Sequence, residues 1–257
     1  MRKKFRYLIL FAILLFVAVN EALIKMRSTS WENPLWVRIY AVSGDGRAAT
    51  DAYIDSLTSE HFKPIEKFVN REARRHGITI DAIDVEYQGR LQSHPPQPPS
   101  EQSVLDNIWW SLSFRAWAWR RAWSSAGDEG DVELFVSYHD TAATQALRHS
   151  VGLQGGMIGI INGFAEKSYR GSNHVVIIHE LMHTLGATDK YAAGGVPIHP
   201  SGYAEPYHTP LYPQTKAEIM GGRIPLSEHQ SRMPESLADV VVGSMTAAEI
   251  NWTVDTP

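Results

Sequence analysis

Residues 172–191 read SNHVVIIHELMHTLGATDKY, and this stretch decides the fold. A serine and an asparagine at its start can cap a helix, and the apolar residues that follow contain no charge before Glu180, so we predict a buried helix. His179 and His183 stand one turn apart on this helix and point the same way. That separation lets two imidazoles reach one zinc ion at about 2.0–2.1 Å.

The residues around the two histidines complete a predicted catalytic metal site. Glu180 can reach a metal-bound water, which makes it the candidate general base. Gly186 can adopt a positive φ, end the helix and turn the chain back toward the metal. Asp189 is then the predicted third ligand, and the fourth position stays open for water, as in catalytic zinc sites. The prediction is one catalytic Zn²⁺ whose bound water is activated by Glu180.

The pattern His179-Glu180-x-x-His183-x-x-Gly186-x-x-Asp189 resembles the extended zinc signature of the metzincin metallopeptidases. Most metzincins have histidine where this chain has aspartate, and the snapalysin-type secreted peptidases are similar in using aspartate there. The resemblance covers residues 172–222. It implies an α+β fold in which an N-terminal lobe, with a twisted mixed sheet and the active-site helix, faces a small C-terminal lobe with a Met-turn and a short helix.

The Met-turn is the second hallmark that the resemblance implies, a methionine-containing turn beneath the metal. Residues 218–222 (EIMGG) match it best, because Met220 follows an aliphatic residue and precedes two glycines. Met233 is a poorer candidate because it precedes a proline, and Met245 leads into a predicted capping box of a last short helix. Ordinary core packing is the alternative role for Met220.

Other histidines, glutamates and tyrosines are alternative members of the site. His174 would lie about 140° around the helix from His179, so we predict capping or packing for it. Two loop histidines are predicted to be solvated: His199 and His208. A thermolysin-like site would take its third ligand from a later glutamate, which the short spacing to Asp189 disfavours: Glu205, Glu218 or Glu228. The tyrosines that could stabilise an oxyanion are Tyr191, Tyr203, Tyr207 and Tyr212.

The remaining patterns predict alternating strands and helices. We expect strands at 35–42, 78–87, 131–138 and 155–162, and helices at 51–76 and 101–124. The helix at 101–124 is rich in tryptophan, and we interpret it as a thick core helix, with contact to a membrane surface as the alternative. The glycines of 155–162 allow close backbone approach, so an edge strand that pairs with an extended substrate is a hypothesis beside a plain hairpin.

The composition supports one catalytic domain and excludes several classes of function. The chain has 257 residues, of which 44% are hydrophobic and 20% charged. Its net charge of -4 disfavours nucleic acid as a partner. It has no cysteine, so a metal must be held by His, Asp or Glu. We predict a metallopeptidase domain at 28–257, with an N-terminal lobe at 28–186 and a C-terminal lobe at 187–257.

Residues 1–27 resemble a targeting segment. Four cations in the first six residues precede an apolar run at 7–19, which is shorter than the roughly 20 residues of a membrane span and fits a signal peptide. The absence of a convincing cleavage site favours an uncleaved signal anchor. The positive-inside tendency then predicts a membrane-anchored protein with an extracytoplasmic catalytic domain, or a secreted protein if the leader is cleaved.

These observations together predict a zinc-dependent metalloendopeptidase that hydrolyses peptide bonds of peptide or protein substrates in an extracytoplasmic compartment. The alternative is a non-catalytic, envelope-anchored binding module on a metallopeptidase fold. Glu180 favours the enzyme, because a binding module needs neither a base nor an open coordination position. A metal-dependent hydrolase acting on a non-peptide bond also remains open.

Overall fold

A five-stranded sheet forms the centre of the computed structural model, which describes residues 29–99, 103–124, 130–154 and 156–252 and positions 7, 11, 19, 26 and 27. Its strands are β1 (Leu35–Ser43), β2 (Ile83–Arg90), β3 (Val132–His139), β4 (Val151–Leu153) and β5 (Ile158–Phe164). Their order is β2-β1-β3-β5-β4. All neighbours are parallel except β4, which runs antiparallel to β5 at the edge. A mixed sheet with helices confirms the general α+β class.

The helices of the described chain are α1 (Ala48–Asp55), α2 (Lys63–Arg75), α3 (Val104–Ser124), α4 (Arg170–Thr184) and α5 (Ser244–Glu249). The single helix expected at 51–76 is therefore two helices, because the Thr58 and His61 side chains form a capping box that starts a separate 3₁₀ turn. Pro64 lies in the first turn of α2, where its missing amide proton costs no helical hydrogen bond.

The strand expected at 78–87 begins later, at Ile83. The buried Asn70 side chain on α2 accepts hydrogen bonds from the Ala82 and Ile83 amides at 2.8 and 3.0 Å. It also donates to the Ile83 carbonyl at 3.0 Å. These contacts fix the point at which the chain enters the sheet.

Helices cover both faces of the sheet. Alternate strand residues such as Ile39 and Val136 pack on the side of α2 and α4, in one large core. Tyr40 and Phe135 point the other way and pack against Phe114 of α3. The outer face of α3 is exposed. Its Trp109 side chain is 72% exposed and therefore lies outside the core. The interpretation of α3 as a thick core helix is thus wrong for this face.

Apart from α5 near its end, the chain after α4 consists mainly of loops and two-residue strands. These are β6 (Tyr191–Ala192), β7 (Val196–Pro197), β8 (Ala217–Glu218), β9 (Ile224–Pro225), β10 (Ser231–Arg232) and β11 (Val240–Val241). Its buried side chains belong to the same core as α4, among them Met220 and Trp252. Trp31 stacks edge-on against Trp252 and donates to the Ile250 carbonyl at 2.7 Å. The core is therefore continuous across residue 186.

The expected signal anchor at 1–27 lies almost entirely outside the described residues. Within the described part of the chain, no helix is long and apolar enough to cross a membrane. The longest of these helices, α3, has 21 residues but carries Asp106, Arg115, Arg120 and Arg121. The expectations of a transmembrane helix and of a membrane-anchored location are therefore corrected.

Candidate metal centre

Helix α4 packs against β5 and the edge strand β4, and it bears the two candidate ligand histidines. The expected cap at residues 172–173 is wrong, because the helix begins at Arg170 after a 3₁₀ turn. Asn173 instead joins the helix to the end of β5: its side chain accepts from the Phe164 amide at 3.1 Å and donates to the Phe164 carbonyl at 2.9 Å. These two hydrogen bonds fix the position of the first turns of α4 against the end of β5.

Three predicted ligands converge at the C-terminal end of α4. His179 Nε2 lies 3.2 Å from Asp189 Oδ1, and His183 Nε2 lies 3.1 Å from the same oxygen. The ligand atoms of the three residues all lie within 4.8 Å of one another. His179, His183 and Asp189 thus form a group that could hold a metal ion.

The other ring nitrogen of each histidine is fixed by a backbone carbonyl. His179 Nδ1 lies 2.9 Å from the Ile219 oxygen, and His183 Nδ1 lies 2.8 Å from the Ala187 oxygen. A carbonyl only accepts, so each Nδ1 carries a proton and donates it. In the neutral rings the lone pair then sits on Nε2, which is the arrangement found in metal-binding histidines whose other ring nitrogen donates to a carbonyl or carboxylate.

The donor set fits a zinc-sized cation. Two neutral Nε2 lone pairs facing the Asp189 carboxylate would repel it, so the triad needs a cation or a proton between its members. Ligands at about 2.0–2.1 Å in a tetrahedral site lie roughly 3.3 Å apart, close to the two distances to Asp189. Without a metal, protons on the two Nε2 atoms can fill this role: burial opposes ionisation of Asp189, but the hydrogen bonds that protonated His179 and His183 then donate outweigh it and hold the pKa of Asp189 well below its usual range.

The turn after α4 carries Asp189 back to the histidines. Gly186 has a φ of +103°, a conformation that favours glycine, and its amide bonds to the His183 carbonyl at 3.1 Å. Beyond it, Glu249 of α5 accepts from the Thr188 amide at 2.9 Å and from the Lys190 ammonium at 2.7 Å. Both residues that flank Asp189 are therefore held by one carboxylate.

Glu180 lies beside the triad, buried to 5% exposure. Burial raises the pKa of its carboxyl group above the usual value, although the two imidazoles and the Gly152 amide oppose the rise. Its Oε2 atom is buried and makes no hydrogen bond within the described residues. Glu180 also lines the cleft, so its carboxylate can accept a proton from a molecule bound there.

The methionine turn lies directly beneath His179. Met220 is fully buried, and the Ile219 carbonyl before it accepts the His179 Nδ1 proton. Glu218 organises the turn: its carboxylate accepts from the Met220 and Gly221 amides at 2.7 and 2.9 Å. It also accepts from the amide of Gly243 and the hydroxyl of Thr246. Glu218 is therefore a structural carboxylate, outside the ligand group.

The other alternative ligands lie away from the triad. His174 is buried at 6% near Phe62, in the packing role that its helix position predicts. His199 and His208 bond to backbone carbonyls of their own loop. The ligand group found among the described residues contains neither of these histidines. It also contains none of the three later glutamates, Glu205, Glu218 and Glu228.

One of the four candidate tyrosines reaches the site. Tyr191 lines the cleft, and burial together with the nearby Asp189 carboxylate raises the pKa of its hydroxyl to about 12. Tyr203 and Tyr212 bond to each other at 2.8 Å. Tyr207 is 87% exposed and lines a different pocket.

An open cleft of about 780 Å³ gives access to the triad. One part of its lining is the segment that precedes edge strand β4, residues 147–150, and another is the loop and turn at 191–195 and 221–223. Gly152 of β4 touches α4 so closely that a Cβ there would collide with the Glu180 carbonyl and lie 2.8 Å from the His183 Cβ. The edge strand β4 therefore lies directly against α4 beside the candidate ligand histidines.

Sequence reasoning missed four contributors to this site. They are the Ile219 and Ala187 carbonyls, the Glu249 carboxylate and the glycine at position 152. Every residue has a backbone carbonyl, so the sequence does not indicate which carbonyls bond to the histidines. The sequence TAAE at 246–249 predicts a capping box that includes Glu249, yet the helix begins earlier, after Gly243, and the Glu249 carboxylate bonds to Thr188 instead.

Comparison with known proteins gives no family. No family model and no curated protein matches the sequence. The chain is similar to a chain in the structure of a chaperone–substrate complex, with 13% identity and a TM-score of 0.44 over 85% of this chain and 33% of that chain. It is also similar to catalytically inactive OgpA from Akkermansia muciniphila in complex with an O-glycopeptide (glycodrosocin) substrate. That match has 11% identity and a TM-score of 0.38 over 86% of this chain and 62% of the other.

The chain thus spans a third of the first protein and under two thirds of the second. With TM-scores below 0.5, neither likeness carries an argument about fold family or function.

Proposed function

We propose that this chain is a zinc-dependent metalloendopeptidase of metzincin type. The observation that carries the proposal is the convergence of His179 and His183 on one oxygen of Asp189, with both Nδ1 protons committed to carbonyls. Zinc suits two imidazoles and a carboxylate, and three protein ligands leave a position for substrate or water.

Glu180 is the proposed general base. A zinc ion held by the triad would supply an activated water and polarise the carbonyl of the scissile bond. The buried carboxylate of Glu180 takes the proton of the attacking water and passes it to the leaving amine. Burial raises the pKa of this carboxyl group, which makes the carboxylate a better proton acceptor. Tyr191, whose hydroxyl lies close to the Asp189 carboxylate, is placed to stabilise charge on the carbonyl oxygen.

Peptide substrates are favoured by the edge of the sheet. Residues 147–150 lead into β4, which pairs with β5 on one side only, and they line the cleft beside Glu180. An extended peptide can add to such an edge through backbone hydrogen bonds. The strand expected to do this, at 155–162, is interior in the structure because β4 covers it.

The metzincin assignment rests on the methionine turn as well as on the zinc signature. Met220 lies in the core directly after the residue whose carbonyl orients His179, so the turn supports a ligand from below. In this proposal Met220 acts through packing and not through contact with substrate.

The experiment loads the full chain with zinc and measures cleavage of a mixed peptide library by mass spectrometry. We expect wild type to cut, and Glu180→Gln to bind zinc but lose about 10²-fold or more in rate, because the general base is gone. Glu228→Gln is the matched control: it makes the same chemical change at an exposed glutamate outside the triad and retains activity.

Two outcomes would contradict the proposal. If neither protein binds zinc, the metal centre is wrong. If wild type and Glu180→Gln both bind zinc and neither cuts any peptide, the chain is better described as a binding module or as a hydrolase of a non-peptide bond.

A further inference from the structure

The charge of the cleft differs from that of the chain as a whole. The formal net charge of the chain is -4. The cleft lining contains two arginines, Arg148 and Arg223, and two carboxylates, Glu180 and Asp189. These four charges cancel, so a divalent ion at the triad leaves an excess of about two positive charges in the cleft. A bound substrate that carries negative charge would therefore be attracted.

Among the residues that the structure describes, neither cleft arginine has a partner that would neutralise it. Within the described residues, the Arg148 and Arg223 guanidinium groups make no ion pair and no side-chain hydrogen bond. Other arginines of the chain do pair: Arg47 with Asp140 at 2.8 Å, and Arg90 with Asp51 at 2.7 Å. The hydrogen-bond donors of the two cleft arginines are thus available to a ligand.

Packing fixes Arg223 at the wall of the cleft. Its Nε lies 3.2 Å from where a Cβ of Gly195 would stand, so its stem rests against the glycine loop. The preceding Gly222 packs beside Tyr191, next to the triad. The neighbouring Gly194, which also lines the cleft, has open space where a Cβ would stand.

Carboxylate is the ligand chemistry that this arrangement suits best. A guanidinium binds a carboxylate through two parallel hydrogen bonds, and charge-assisted bonds of this kind are about twice as strong as neutral ones. We propose that the cleft selects peptides that present a carboxylate close to the scissile bond, with Arg223 as its main anchor and Arg148 as a second contact. This inference rests on the proposed peptidase function and names its substrate class.

The test uses matched peptides on the zinc-loaded full chain. The first peptide has glutamate near the scissile bond and blocked ends. The second has glutamine in place of that glutamate. The third has the same glutamine and a free C-terminal carboxylate. We expect wild type to prefer the first over the second by roughly tenfold or more in kcat/KM. Preference for the third peptide instead assigns the arginines to a C-terminal carboxylate, the other source of the same chemistry.

Variants then identify the residue responsible. Arg223→Gln should lose most of the preference, mainly through KM, and keep its zinc content. Arg223→Glu should reverse it toward a lysine peptide. Arg120→Gln removes the same charge from the exposed face of α3, outside the cleft, and should leave the preference intact.

Failure of the inference is separable from failure of the proposed function. If wild type cuts glutamate and glutamine peptides equally well, the anionic preference is wrong and the peptidase stands. If wild type cuts nothing, the peptides are tested by fluorescence anisotropy on zinc-loaded Glu180→Gln. Equal binding of the charged and neutral forms there overturns the inference, and tighter binding of the charged form that Arg223→Gln abolishes supports it.

Discussion

Glu249 should control metal affinity although it lies 60 residues from the ligand it serves and touches no ligand atom. Its carboxylate accepts from the Thr188 amide at 2.9 Å, the Thr188 hydroxyl at 2.7 Å and the Lys190 ammonium at 2.7 Å. The Lys190 side chain is only 4% exposed and Glu249 30%. The perturbation is Glu249→Gln, which keeps the shape and removes the charge.

The magnitude follows from these contacts. Hydrogen bonds to a charged group contribute about 1.5–3 kcal/mol each, and partial exposure of Glu249 reduces this, so we expect a loss of about 2–4 kcal/mol in unfolding free energy. Outer partners of metal ligands typically change metal affinity by about 10- to 100-fold when mutated. Because the substitution weakens the charge-assisted hydrogen bonds on both sides of Asp189, we predict a rise in the zinc Kd of this size.

The assay is a competition titration of zinc against a chelator on the folded variant, with unfolding in urea measured on the metal-free protein. Glu228→Gln serves as the control, since its side chain is exposed and outside the triad. A folded Glu249→Gln variant with the zinc affinity of wild type would refute the reasoning, because it would show that Asp189 needs no support from α5.

Three further predictions concern the surroundings of the triad. Gly152→Ala should lower stability by about 1–3 kcal/mol and slow hydrolysis, because the new methyl group meets the backbone of Glu180. Glu218→Gln should cost about 3 kcal/mol or more in urea unfolding, because its amide nitrogen must face backbone donors. Burial lowers the pKa of His174 to about 4, against an ordinary 6.5, so about 3 kcal/mol of stability present above pH 6.5 should be lost as the pH falls to 4.

Controls and contrary results for these three are direct. Gly159→Ala should be milder than Gly152→Ala, because the nearest atom to the new methyl is the flexible end of the Leu134 side chain at 3.1 Å and the nearest backbone atom is 3.5 Å away. Urea stability unchanged in Glu218→Gln would mean that the turn does not depend on the carboxylate. His174→Gln should flatten the pH dependence between 6.5 and 4, which the exposed His199→Gln should leave alone; equal slopes would remove His174 as the cause.

Local spacing predicted the group of possible metal ligands well because its members lie within one helix and the turn after it. His179 and His183 are one turn apart in the sequence, and Gly186 has the positive φ expected of the residue that ends the helix. Asp189 then lies beside both rings, as the spacing predicts. The zinc ion and the catalytic role of Glu180 stay predictions.

Long-range contacts were beyond the reach of sequence patterns. Nothing in a hydrophobic period shows that the Ile219 carbonyl meets His179, or that Glu249 bonds across 61 residues to Thr188. The predicted strand at 78–87 begins before the observed start of β2 at Ile83. The reason is that the Asn70 side chain, and not the apolar pattern, decides where β2 begins.

Element type was more predictable than exposure. The helix at 101–124 exists, but tryptophan content alone could not tell which face is buried. Phe114 is fully buried against Phe135, whereas Trp119 on the same helix is 63% exposed. Which face packs depends on where the sheet lies, and that is a property of the whole fold.

The most direct test of the central claim is the zinc stoichiometry and affinity of the full chain beside its Asp189→Ala variant. If His179, His183 and Asp189 hold the metal, wild type should bind about one zinc per chain and the variant should lose most of that affinity. An Asp189→Ala variant that binds zinc as tightly as wild type, or a wild type that binds none, would contradict the account.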